Sequence, residues 1–265
     1  MFFTITNTIK VTYINSESIM FREKYSKELN NPQMLDYGVY LQCDKLLSCQ
    51  KPLAELSTHD ELQFQLVHQV EELWMKQIIF TLIDVLEKIQ LNKSIPILSQ
   101  MRRVHMIQRL MIQQLDLLET MSPKEYQQIR LQLGNGSGQE SPGFVTLLKM
   151  PKDIWQLFEK HYLHERKQTV QDIYDEQFSH CDAYAVAEAL IEFDELMQKF
   201  RWDHMFLIRR SIGINSNSLK GRPVEVLQNG ARQQFFPELW DVRSQMSDTW
   251  GQEYGKVRDS ISKKK

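Results

Sequence analysis

A chain of 265 residues with 42% apolar content can bury one sizeable core and holds at most two domains, one being the simpler reading. Its 32 Lys and Arg against 34 Asp and Glu leave a formal charge of -2, so no strong field favours nucleic acid or anionic lipid. Three cysteines, Cys43, Cys49 and Cys181, form no CxxC pair, and no run approaches the roughly 18 apolar residues of a membrane span, which excludes a disulfide framework, a thiolate zinc site and a bilayer helix. A reducing, cytoplasmic location is the expectation.

Residues 1–35 lack sustained periodicity and read as an N-terminal arm, with 36–265 as a single domain. A short helix is expected around Tyr37 to Leu47. Thr58 with Glu61 makes a capping box, from which a long helix runs to about Leu91 on a stripe of Leu62, Leu66, Val70, Leu73, Trp74 and Ile78. A second long helix covers roughly Ile95 to Thr120. Ser122-Pro123-Lys124-Glu125 places a capping serine, a first-turn proline and a glutamate, so a new helix starts there and ends at Gly134. Gly134 to Gly143, GNGSGQESPG, reads as a flexible loop and a candidate lid. Helices are then expected at Lys152–His161, at Glu165–Gln177 and from about Asp182 to Ile212, the last stopped by Gly213. With 10 glycines and 8 prolines gathered between periodic segments and no convincing strand, the fold class is all-α, a bundle of long antiparallel helices.

Bundles hold metal sites, and seven histidines are available. A di-iron carboxylate centre needs Glu-x-x-His on two helices, and no histidine here has a glutamate three residues before it. His204 lies in FRWDHMFLIRRSIG with Phe200 and Ile208 four residues to either side, a largely apolar face. Such an imidazole suits the proximal position of a haem iron, and equally a core histidine bonded to a carbonyl; spacing alone leaves both open. Phe64 and His68 share one helix face, as one wall of an aromatic pocket or as ordinary core. Tyr126, Arg130 and Leu133 share another, where a guanidinium fork matches a small carboxylate or simply faces solvent.

Taken in order, these stretches resemble the tryptophan 2,3-dioxygenase family. Tyr37-Gly38-Val39-Tyr40-Leu41 looks like its YGxYL segment. His59-Asp60-Glu61, Phe64, His68-Gln69 and Glu72-Leu73-Trp74 look like its HDE, distal-histidine and ELW run. Ser122 to Gly134 resembles its carboxylate-binding helix, Arg201 to Gly213 its axial-ligand helix, and Phe235 to Arg243 its FFPELxxxR signature. The resemblance spans about Tyr37 to Arg243. It implies a non-covalent b-type haem held by His204 and an indole ring stacked beside Phe64 with its N–H facing His68. It further implies a substrate carboxylate paired with Arg130 and oriented by Tyr126 beside Leu133. Tyr37, Tyr40 and Leu41 would reach the active site of a neighbouring subunit, in a homo-oligomer built as a dimer of dimers. The reaction implied is insertion of O2 into the indole C2–C3 bond of L-tryptophan, giving N-formylkynurenine.

Two departures stand against the family pattern. Where the family carries a glycine-rich GTGGSSG loop whose threonine helps bind the substrate ammonium, this chain reads Asn217 to Pro223; Ser218 aligns with the threonine, but the flexible glycines are gone. The stretch between Gly134 and His204 is also shorter than in typical members. The alternatives are a related mono- or dioxygenase acting on another indole or aromatic substrate in secondary metabolism, and a haem-binding protein without turnover.

Overall fold

The computed structural model describes residues 24–25, 35–134, 136, 138–175, 181–213, 216–217, 221 and 230–250. The chain divides into two compact units, residues 1–56 and 57–265. Most of the expected N-terminal arm, and Ser218, lie outside the described residues.

In the first unit, α1 (Asp36–Leu41) and α2 (Cys43–Leu46) stand where one helix was expected. Gln42 takes left-handed backbone, φ 52°, and its N–H closes back on the carbonyl of Val39 at 3.1 Å, which ends α1 and starts α2. A 3-10 turn follows at Leu53–Glu55.

The second unit is all-helical, with no strand among its described residues. Its first helix, α3, covers Asp60–Gln90. The expected glutamate does reach back from Glu61, but to the backbone N–H of Ser57 at 2.5 Å and to its hydroxyl at 2.8 Å. The Thr58 hydroxyl is instead buried without a hydrogen-bond partner among the described residues. After a three-residue connection the chain returns as α4 (Ser94–Glu119), antiparallel to α3; Gln63 near the start of α3 bonds the Leu117 carbonyl at 2.6 Å near the end of α4.

The third helix of this unit, α5 (Pro123–Gln132), begins at the expected Ser122-Pro123, yet the Ser122 side chain makes no capping bond. Its start is fastened to the start of α3. The Asp60 amide donates to Glu125 at 3.1 Å, and the Ser122 amide donates to the Asp60 carboxylate at 3.0 Å. Each carboxylate serves an orphan N–H of the other helix, so the starts of α3 and α5 are held side by side.

Beyond Gly134, whose φ of 56° ends the α5 region, a 3-10 turn at Gly138–Glu140 leads into α6 (Pro142–Leu147). Glu72 of α3 takes the Ser141 hydroxyl and, at 3.1 Å, the Gly143 amide, while the Ser141 hydroxyl accepts the Phe144 amide at 3.1 Å. The loop read as a candidate lid is therefore fastened to α3 at its far end. Gly143 is required there: a β-carbon on it would lie 2.8 Å from both the Glu72 carboxylate and Met75 Cβ. Gly143→Ala is expected to push α6 off α3 and to cost about 1–3 kcal/mol in urea unfolding.

Next, α7 (Met150–Phe158) runs on into a π-helical segment, Glu159–His164. The helix expected from Glu165 starts later, as α8 (Val170–Asp175), because Thr169 and Asp172 form a reciprocal cap: Asp172 accepts the Thr169 amide at 2.7 Å and Thr169 accepts the Asp172 amide at 3.2 Å. The last two helices are α9 (Asp182–Ile212), stopped at Gly213 with φ 87°, and α10 (Pro237–Trp250).

Because α5 to α8 carry the chain back to its starting end, α9 runs antiparallel to α3 but parallel to α4. Ser94, Gln108 and Glu119 along α4 meet Asp182, Phe193 and Arg210 along α9 in the same order. The core lies among these three, with Ile78, Leu82, Val85, Ile97, Met101, Val104, Leu190 and Phe193 all fully buried. Each such side chain contributes about 1.5–3 kcal/mol. The buried stripe of α3 is Val67, Glu71, Met75, Ile78 and Leu82; of the expected stripe Ile78 is fully buried and Trp74 packs against the core, but Leu66 is exposed and Leu73 is 50% exposed. This helix is apolar on two sides, and packing against α4 and α6 chooses the side that the acid Glu71 interrupts.

Candidate functional site

Two histidines lie near one another on antiparallel helices, His68 on α3 and His204 on α9, close enough for the charge of one to act on the other. His68 lies two turns into α3, behind the end fastened to α5. Its Nδ1 is 2.7 Å from the Phe64 carbonyl oxygen. A carbonyl only accepts, so Nδ1 carries the proton. Desolvation holds the His68 pKa below the usual histidine value, with the Phe64 bond and the Glu72 charge opposing it. The ring is then neutral at pH 7 and its Nε2 is a bare acceptor.

His204 is half-buried, and desolvation first, then the nearby His68, lowers its pKa to about 4. Among the described residues neither of its ring nitrogens has a hydrogen-bond partner, and its flat neighbour is Phe200, 6.4 Å away between centroids and 9° off parallel. The Phe144 ring lies 6.4 Å from Phe200, so α6 closes this side with aromatic surface. A neutral, unpartnered imidazole in an apolar wall is what an axial ligand to haem iron requires, and the residues present fit that group.

The opposite wall is built by Phe64, whose ring is 4.2 Å from the His68 ring and 6.2 Å from Tyr126. The reciprocal caps between α3 and α5 make that second distance possible. Tyr126 is half-buried and its phenol is pushed up by desolvation, with the Arg130 charge working against the shift. Arg130 donates to the backbone carbonyl of Asn217, which ties α5 to the chain beyond α9. Leu133 caps α5 and is partly exposed. The structure therefore brings Phe64, His68, Tyr126, Arg130 and His204 together. Ser218 lies outside the described residues, while Tyr37 and Tyr40 are exposed on α1, Tyr40 at 84%.

Four further residues matter that the spacing arguments passed over. Glu72 fastens the α6 cap, and Phe144 supplies the ring beside Phe200. Asp194, fully buried on α9, accepts the amides of Phe235 and Phe236 at 2.7 and 3.1 Å and the Trp240 indole N–H at 2.9 Å. Arg201 donates to the carbonyls of Gly230 and Gln233 at 2.9 and 2.7 Å. Asp194 and Arg201 thus bind the stretch before α10 to the helix that carries His204. The readable signal was an acid, Asp194, inside the apolar run Leu190, Phe193, Met197.

A groove of about 750 Å³ on another face of α9 is lined by Arg102, His105, Arg109, Glu188, Glu192 and Lys199. Within it Glu192 meets Arg109 and, at 3.1 Å, His105. Among the described residues no group of three metal-ligating side chains occurs, and no helix is long and apolar enough to cross a membrane.

The depressed His204 pKa gives a pH dependence to the haem-free protein. An unfolded histidine near 6.5 binds its proton before the folded one near 4, so His204 leaves stability intact above pH 6.5 and removes it as pH falls toward 4. The loss is on the order of 3 kcal/mol. Urea midpoints of haem-free wild type should fall more steeply over that window than those of His204→Ala; parallel curves would count against it.

Comparison with known proteins follows the same residues. The family model described as tryptophan 2,3-dioxygenase matches residues 23–150 and 159–246. The chain is similar to the tryptophan 2,3-dioxygenases of Myxococcus xanthus, 31% identical with 80% of this chain and 89% of that protein covered, and of Bacillus thuringiensis, 32% identical with 80% and 93% covered. That of Serratia proteamaculans is 30% identical over the same shares, 80% and 93%. The break in the family match, 151–158, falls on α7, within the stretch that reads as shortened.

Proposed function

Because the chain belongs to the tryptophan 2,3-dioxygenase family of haem-dependent dioxygenases, we propose that it opens the indole ring of L-tryptophan with O2 to give N-formylkynurenine. The observation that carries this reading is the pair of neighbouring neutral imidazoles, His204 without a hydrogen-bond partner among the described residues and His68 with its Nδ1 already spent on Phe64.

In this reading His204 holds the iron of a non-covalent haem b. When bound, the haem supplies the O2 binding and activation that an indole alone lacks. The remaining work belongs to the chain. His68 Nε2 accepts the indole N–H and fixes the C2–C3 edge toward the iron side, while Phe64 lies along the ring. Arg130 pairs with the substrate carboxylate through donors not used by Asn217, and Tyr126 and Leu133 shape that end. Phe144 and Phe200 keep the His204 side apolar and exclude water. Both atoms of O2 enter the product as the C2–C3 bond breaks.

We assign Tyr37, Tyr40 and Leu41 to the pocket of a second copy of the chain. Their exposure on α1, together with exposed Leu73 and Phe80 on α3, supports a homo-oligomer. Ser218 remains the residue assigned to the substrate ammonium.

The test is an anaerobic titration of the ferrous, haem-loaded protein with L-tryptophan, followed by admission of O2 and mass analysis. A spectral response and a product heavier by two oxygen atoms are expected. Protein with no Soret band, or a response only to indoles lacking the carboxylate, would overturn the reading. The latter result would favour the related oxygenase acting on another indole, which the glycine-poor stretch Asn217 to Pro223 motivates.

A further inference from the structure

Glu71 follows His68 by one turn on α3 and is only 7% exposed. Its Oε1 is wholly buried and has no hydrogen-bond partner among the described residues. Phe64, His68, Glu71 and Met75 fall at i, i+4, i+7 and i+11, one face of the helix. Along that face Phe64 is the end next to Tyr126 and Arg130, and Glu71 is the end next to Glu72 and Met75, where α6 closes over α3. A ring laid on Phe64 beside His68, with its carboxylate at Arg130, would therefore extend its other edge along the helix face that carries Glu71.

An acid kept unpaired in such a place destabilises the fold unless something brings it a partner. Burial, reinforced by the neighbouring Glu72 carboxylate, pushes the Glu71 carboxyl up to about 8. Near neutral pH it is an uncharged acid, with one O–H to donate and a carbonyl oxygen to accept. A hydroxyl uses both, whereas an unsubstituted benzo edge uses neither.

We propose that Glu71 is a specificity-determining residue that hydrogen-bonds a hydroxyl on the benzo ring of the substrate, so that the pocket favours a ring-hydroxylated L-tryptophan over L-tryptophan itself. The proposal rests on the reading that the space between His68 and His204 takes an indole amino acid. A site that holds a buried polar group for one substituent discriminates against the analogue without it, because that group is then left unpaired.

The experiment is an anaerobic equilibrium titration of the haem-loaded protein with L-tryptophan and each benzo-ring monohydroxylated L-tryptophan, for wild type, Glu71→Gln and Glu71→Leu. At least one hydroxylated isomer should bind wild type about tenfold or more tighter than L-tryptophan. Glu71→Leu should erase that preference while binding L-tryptophan at least as tightly, and Glu71→Gln, which still donates and accepts, should keep part of it. Thermal melting of haem-free Glu71→Leu should occur at or above the wild-type temperature, because an unpaired acid is replaced by an apolar side chain. Equal binding of all the amino acids to wild type overturns the proposal, as does a preference that survives in Glu71→Leu. A lowered melting temperature, or a loss of haem uptake in place of the preference, does so too. If wild type binds none of these amino acids, the parent reading falls with it; if it binds L-tryptophan and the leucine variant leaves the ranking unchanged, only the role of Glu71 falls.

Discussion

His204→Ala is expected to yield folded protein that takes up no haem, shows no Soret band and has no measurable oxygenase activity. The expectation follows from how little the side chain does otherwise. His204 makes no hydrogen bond among the described residues, and the flat contact with Phe200 is at 6.4 Å, so truncation forfeits modest packing and leaves no donor or acceptor orphaned. At pH 7 the wild-type imidazole is already neutral, so no charge is lost either. What disappears is the nitrogen lone pair on the apolar wall, the one feature an axial site needs. Haem titration followed by absorbance, with circular dichroism as the control for folding, checks this. A Soret band unchanged in the variant would remove His204 from the iron and the proposed function with it. His68→Ala gives the contrast: haem uptake should persist, and the spectral response to L-tryptophan should weaken.

Much of this arrangement is legible before any coordinates, and the parts that are not share a cause. Helix limits marked by local chemistry stand close to expectation: Pro123 opens α5 and Gly213 closes α9. The partners of the caps are another matter, because they are tertiary. Glu125 serves Asp60 of another helix, and the amide that Glu61 takes belongs to Ser57, so a local box motif locates a helix start without naming the bond. The buried stripe of α3 fails for a different reason. Apolar residues lie on two sides of this helix, and the stripe chosen by packing contains Glu71, a residue type that periodicity counts as polar. The same blindness hides Asp194 on α9. An acid inside an apolar repeat reads as noise along the chain, yet in the fold it marks a place where something must be bonded. The pairings within the site were legible only where two residues share a helix, as Phe64 and His68 do. The approach of Tyr126 to Phe64 depends on the caps between α3 and α5, and that of Arg130 to Asn217 on a contact 87 residues apart in the chain.

Asp194→Ala is expected to have the largest effect on stability. The Asp194 side chain is 0% exposed and takes four donors: the amides of Phe235 and Phe236, the Trp240 indole and, at 3.1 Å, the Gln198 side chain. Alanine leaves the first three in an apolar setting, where Phe193 stacks on Phe235 at 5.7 Å, and each orphaned donor costs about 1–3 kcal/mol. Relaxation and entering water recover part of this, so a net loss of about 3–5 kcal/mol is expected in urea unfolding. The Arg201 bonds to Gly230 and Gln233 resist release of the segment, so the first motion should be local. Hydrogen exchange should therefore rise first at the Phe235 and Phe236 amides, before the α3–α4 core loses protection. Asp194→Asn, which keeps an acceptor but adds donors with nothing to receive them, should fall between alanine and wild type. Because Asp194 lies on the same helix as His204, the same variants should loosen haem retention even though they touch no ligand. A loss under about 1 kcal/mol, or unchanged exchange at those two amides, would show that α10 is held mainly by its apolar contacts through Phe236 and Leu239, both fully buried.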